Sequence, residues 1–87
     1  MAEHFPLGEL VVSDEAAEVL YDSGQKPTDF LLRHMDGDCG YAKQPIVDGR
    51  RVSIYKTLTG RMVAIVTEAD QRKTSVVLPD EELLRAE

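Results

Sequence analysis

The sequence predicts an α+β domain, a helical hairpin packed on one face of a three-stranded antiparallel β-meander. Three observations predict it. Apolar residues recur at helical spacing in two adjacent stretches of the first half. β-Branched and aromatic runs then alternate or run continuously in the second half. Glycine, proline and polar clusters separate the runs at short intervals, as turns do. A length of 87 residues implies a single domain spanning 1–87, and a chain of this size buries only ~60–65% of its unfolded surface.

The elements follow in order. Glu9 to Val12 reads as an additional short strand or an extended entry. Ser13 is an N-cap hydroxyl, and Asp14 and Glu15 suit the positive end of the helix dipole behind it. The first helix covers 14–23, with Ala16, Ala17, Val19 and Leu20 as its buried stripe and Gly24 as its stop. The second covers 27–35. Pro27 opens it without losing a donor, Asp29 sits in its first turn, and Phe30, Leu31 and then His34 or Met35 form its apolar face. From Asp36 to Gly49, two aspartates, glycines and Pro45 break regular structure.

Strands are expected at 51–58, 62–67 and 74–78. The first alternates, with Val52 and Ile54 on the side given to the helices. Arg51, Ser53, Tyr55 and Thr57 share the other side, which is then open. Met62 to Thr67 is nearly continuous in apolar residues, as in a central strand. Thr74 to Leu78 is β-branched and ends at Pro79. Asp80 to Glu82 open a short C-terminal helix, with Leu83 and Leu84 packing back. The expected core is Leu20, Phe30, Leu31, Ile54, Ile65 and Val77.

Charge is segregated along the chain. Residues 1–42 hold nine acids and two bases, a net of −7. Residues 43–73 hold seven bases and three acids, a net of +4, and residues 74–87 carry −3. Such patches steer charged partners, although they also arise when two parts of a fold face each other. There is no apolar run long enough to span a membrane and no signal-peptide pattern at the start. The single cysteine makes no internal disulfide. These features point to a cytoplasmic protein with no membrane partner.

Several residues invite a chemical reading. Asp36-Gly37-Asp38-Cys39-Gly40 has alternating carboxylates but lacks the third ligand and the closing bidentate glutamate of a calcium loop, so no metal is expected. Cys39 with His4 or His34 lacks an orienting motif, and a structural thiol and a core-edge histidine are the simpler readings. No phosphate-binding glycine loop is present, and no cofactor or catalytic residue is assigned. The surface singled out for partner binding comprises Arg51, Ser53, Tyr55, Thr57, Arg61, Arg72 and Lys73, because arginine and tyrosine on an open sheet anchor partners or stack on bases. The plain alternative is a solvated sheet face with cross-strand polar pairs.

Ser23-Gly24-Gln25-Lys26-Pro27, Phe30-Leu31, Arg33-His34 and Gly37-Asp38-Cys39-Gly40 are followed by Val66-Thr67-Glu68-Ala69-Asp70 and Val77-Leu78-Pro79-Asp80-Glu81. In this order the chain resembles a family of small uncharacterised bacterial proteins carried by phages, plasmids and integrated elements. It departs from that pattern at Cys39, where the family has tryptophan, in the shorter stretch Tyr41 to Asp48, and at Lys26, where serine is common. The resemblance implies a mobile-element setting and brings no established activity.

Together these readings lead to a small non-enzymatic binding protein. It is expected to act through a protein–protein surface, one form of which is inhibition of a host-defence nuclease or complex. The alternative is a small nucleic-acid-binding regulator using the basic region 43–73.

Overall fold

The computed structural model describes residues 8–79 and shows a small α+β domain with two helices and a five-stranded mixed sheet. The elements are β1 (Glu9–Val12), α1 (Asp14–Ser23), α2 (Thr28–Met35), β2 (Ile46–Val47), β3 (Arg50–Lys56), β4 (Met62–Thr67) and β5 (Lys73–Val77). The sheet order is β1-β5-β4-β3-β2. The meander β3-β4-β5 is present, but β2 extends it on one edge and β1 on the other, parallel to β5. The three-stranded antiparallel expectation is corrected to that extent. The C-terminal helix expected from Asp80 lies outside the described residues, as does His4.

Local chemistry accounts for the helices. Ala16 N–H donates to Ser13 Oγ at 3.1 Å, so the N-cap satisfies one of the donors that a helix start leaves open. At the other end, Gly24 and Gln25 N–H groups return to Tyr21 and Leu20 carbonyls. Helix α2 starts at Thr28, behind Pro27. With no cap side chain at Pro27, Asp29 Oδ2 reaches back to accept from Lys26 N–H at 2.9 Å.

The strand missed by the sequence reading is β2. It forms a two-residue hairpin with β3 across Asp48 and Gly49, both at positive φ (52° and 81°). Asp-Gly is a favoured pair for such a turn, because its twist matches that of the flanking strands. Lower down, the free edge of β3 is taken by the loop after α2. Ile54 N–H donates to Cys39 O at 3.1 Å and Tyr41 N–H to Ile54 O at 2.7 Å. Gly40 is required at the centre of this contact: a Cβ there would stand 2.2 Å from Ile54 O and 2.8 Å from the Tyr55 ring.

The helices cover the face that carries Tyr55, Val63, Ile65 and Val76, which form one core cluster with Ala16, Val19, Leu20, Phe30 and Leu31. Register makes this face a set of cross-sheet rows. Val12, Val76, Ile65 and Ser53 form one, and Leu10, Thr74, Thr67, Arg51 and Ile46 form the next. Of the expected core, Leu20, Phe30, Leu31 and Ile65 belong to this cluster. Val77 is buried on the opposite face with Ala64 and Val66, and Ile54 is only half-buried there.

The faces of β3 are therefore inverted relative to the expectation. Tyr55 is 1% exposed, and Ser53 and Thr57 are buried with it. The physical reason lies in the neighbours. Tyr55 stacks on Phe30 (centroids 5.5 Å apart, planes at 21°), and its hydroxyl donates to Asp38 O. Thr57 Oγ1 donates to Arg61 O at 2.9 Å in the β3–β4 turn. With β4 buried on both faces, apolar content alone does not decide which side of β3 meets the helices.

Candidate functional site

The most organised polar feature is centred on His34. Phe30 and Leu31 place α2 on the sheet, and one helical turn later His34 points at the same face, 2% exposed. Its Nδ1 lies 2.5 Å from Ser53 Oγ and its Nε2 2.9 Å from Thr67 Oγ1, which is 2.8 Å from Thr74 Oγ1. One helix side chain thereby joins three strands, each hydroxyl carried by a residue of a helix-facing row. Burial, reinforced by the nearby positive charge of Arg51, lowers the His34 pKa to about 4, so the ring is neutral near pH 7.

A serine bonded to a histidine that is bonded in turn to a hydroxyl has the outline of a nucleophile–base relay. The electrostatics oppose that use. A base must hold the serine's proton as imidazolium, and here both burial and Arg51 disfavour that ion. The arrangement suits a neutral, fully bonded histidine that pins α2 to the sheet. No described buried side-chain polar atom lacks a partner.

Beside this network a cleft of about 190 Å³ opens between the end of α2, the following loop, β2 and the start of β3. His34, Ser53 and Arg51 line it with Cys39, Pro45 and Ile46. Next to it a second cluster anchors the loop. Arg33 Nε–H donates to Asp38 Oδ2 at 2.9 Å, and the Arg33 guanidinium lies 4.6 Å from the Tyr55 ring centroid. Arg33, then the Gly40 N–H, hold the Asp38 carboxyl below its ordinary pKa, while burial pushes the Tyr55 phenol up.

The residues singled out from sequence do not gather into one surface. Ser53, Tyr55 and Thr57 are interior. Arg51, Arg61, Arg72 and Lys73 are exposed, but at two ends of the sheet. Because β3 and β5 run the same way, Arg50, Arg51, Arg72 and Lys73 sit at one end. Arg61 adjoins the other end of β3, roughly 17 Å away for five steps of strand rise. The basic end also carries acids: Lys73 faces Glu9 across the β1–β5 pair, and Arg72 approaches Asp70 at 4.0 Å. Cys39 is partly buried and its thiol faces Ala42 O at 4.0 Å rather than His34.

The signal for the His34 network was present in the sequence as a histidine at i+4 from Phe30 and hydroxyls at alternating strand positions. What pairs them is register, which no local pattern supplies. The structure also shows the outer face of α1, part of the acidic stretch 1–42. On α1, Asp14, Glu15, Glu18 and Asp22 are all exposed around Tyr21, which is 86% exposed. Among the described residues no group of three His, Cys, Asp or Glu is placed to hold a metal ion, and no helix is long and apolar enough to cross a membrane. Compared with protein-family models, curated proteins and solved structures, the chain has no match.

Proposed function

We propose that this chain is a small non-enzymatic binding protein of the cytoplasm that acts through a protein–protein surface, and that the outer face of α1 is its contact. One observation carries the reading: Tyr21 stands 86% exposed among four exposed carboxylates on a capped, well-anchored helix. An exposed large aromatic ring supplies the apolar anchor that interfaces use most, and the surrounding acids select a basic partner and speed encounter. The resemblance to mobile-element proteins favours a host-defence nuclease or complex as that partner, since such machinery presents basic surfaces to nucleic acid. Affinity capture from a host lysate with the parent chain, Tyr21→Ala and Glu18→Lys tests this. A basic protein retained by the parent and lost with both variants is expected, and equal retention by all three overturns the assignment.

A second reading, a nucleic-acid-binding regulator, is favoured by one observation, the shared placement of Arg50, Arg51, Arg72 and Lys73 at one end of the sheet. Its measurement is a gel shift across a salt series, where phosphate contacts give a steep loss of binding with salt. The interleaved Glu9 and Asp70 make it the weaker of the two.

A further inference from the structure

The two edges of the sheet are finished differently. The β3 edge is covered from Arg50 to Ile54, first by β2 and then by the loop at Cys39 to Tyr41. The β1 edge has no such cover among the described residues. In the parallel ladder with β5, the Glu9 and Ser13 N–H groups bond inward to Arg72 O and Val76 O. Alternation along the strand therefore turns the N–H and C=O groups of Leu10 and Val12 outward, where no described residue bonds to them. Both faces of the strand are open as well. Leu10 is 43% exposed on the helix face, and Val11 is 37% exposed on the opposite face. The strand, ELVV, holds neither lysine nor proline, the residues that blunt an edge. Helix α1 leaves this edge clear, because it starts beside Val76 and ends where Gln25 Oε1 accepts from Leu58 N–H, at the β3–β4 turn.

We propose that β1 pairs antiparallel with β1 of a second copy of this chain, joining the two sheets across a two-fold axis at Val11. One register satisfies the edge and its side chains together. It sets Leu10 opposite the partner's Val12, so the outward groups of each such pair exchange both of their backbone bonds. The same register packs Leu10 against the partner's Val12 on the helix face, beside the core cluster that Val12 already touches. On the other face it packs Val11 against the partner's Val11, so each exposed apolar side chain of the strand is covered by an apolar one. A slip of two residues sets Val12 opposite the partner's Gly8, or Leu10 opposite the partner's Asp14, and loses the match. Charge agrees with this register. Glu9, the strand's only charge, falls opposite the partner's Ser13, which keeps the two glutamates at opposite ends of the pairing. The contact is small, so the dimer dissociates on dilution. Tyr21 lies towards the far end of α1 and outside this contact, so the inference stands apart from the α1 reading.

Sedimentation of the full chain across a concentration series, with amide hydrogen exchange read residue by residue, tests it. The parent is expected to pass from monomer to dimer as concentration rises. The Leu10 and Val12 amides, which face solvent in the monomer, then exchange at least about tenfold more slowly. Val11→Lys sets like charges against each other at the two-fold axis and is expected to stay monomeric, as is Val11→Glu. An equimolar mixture of the two variants recovers a dimer, because the facing charges are then opposite. Both variants alter an exposed side chain and keep the β5 ladder, and protected amides in β4 report that they fold. Should either fail to fold, exchange at Leu10 and Val12 in the parent still decides the matter. The proposal is overturned by a parent that stays monomeric throughout the series, which leaves the edge to a strand of another protein. It is equally overturned by a dimer whose Leu10 and Val12 amides stay unprotected, by a dimer of Val11→Lys alone, or by a mixture of folded variants that stays monomeric.

Discussion

At the scale of single residues, two side chains hold α2 to the sheet by different means. His34 does so as a neutral ring. In the unfolded chain it takes up a proton near its ordinary pKa of 6.5, whereas in the fold it resists protonation down to about 4. Its contribution is therefore complete above about pH 6.5 and falls away as pH drops towards 4. Each unit is worth about 1.4 kcal/mol, so the loss across that window is roughly 3 kcal/mol. Urea midpoints measured from pH 7.5 to 4 are expected to decline more steeply for the parent than for His34→Gln, with the gap between them narrowing as pH falls. Parallel curves would remove His34 from the account. Tyr55 works by packing plus one hydrogen bond. Tyr55→Phe keeps the stack on Phe30 but strands the Asp38 carbonyl, a cost of about 1 kcal/mol by urea denaturation. Phe30→Ala removes the stack and a buried ring together, at ~3–5 kcal/mol.

At the scale of elements, the caps and turns decide where helices and strands stop. Ser13→Ala deletes the acceptor for Ala16 N–H and should cost about 1 kcal/mol in thermal or urea unfolding. The loop after α2 is held differently, by the β3 edge and by the absence of a side chain at Gly40. Gly40→Ala places a methyl within 2.2 Å of Ile54 O at a φ of 59°, so the loop must lift from β3. Hydrogen exchange is the direct readout: Tyr41 and Ile54 amides, which bond across this contact, lose protection while the β4 amides keep theirs. The β2 hairpin was legible in principle, since Asp48-Gly49 is a hairpin signal. It was obscured because the strand on its first side is only two residues long and follows Pro45.

At the scale of the whole molecule, charge separation along the chain becomes separation in space only in part. Four acids of the first half, Asp14, Glu15, Glu18 and Asp22, lie on the outer face of α1, but the basic residues divide between two ends of the sheet, and Glu9 and Asp70 meet those at one end. Reversing Arg72 and Lys73 to glutamate should leave capture of a protein partner through α1 essentially intact, a result read in the same affinity experiment. A uniform loss of binding to nucleic acid with a flatter salt slope would instead favour the regulator reading.

By itself the sequence determined the mixed class, both helices to within one residue, the meander β3-β4-β5 and most of the core, because helical period, caps and β-branched runs are local properties. The tertiary structure alone decided the pairing of β1 with β5 and the face that β3 turns to the helices. A strand has two faces one residue apart, and in a sheet buried on both sides neither is excluded by hydrophobicity. Only the partners across space break that tie: Phe30 for Tyr55, and His34 for Ser53 and Thr67. The His34 network inherits the same dependence, since its ring comes from α2 and its hydroxyls from β3, β4 and β5, and they meet only through register and helix docking.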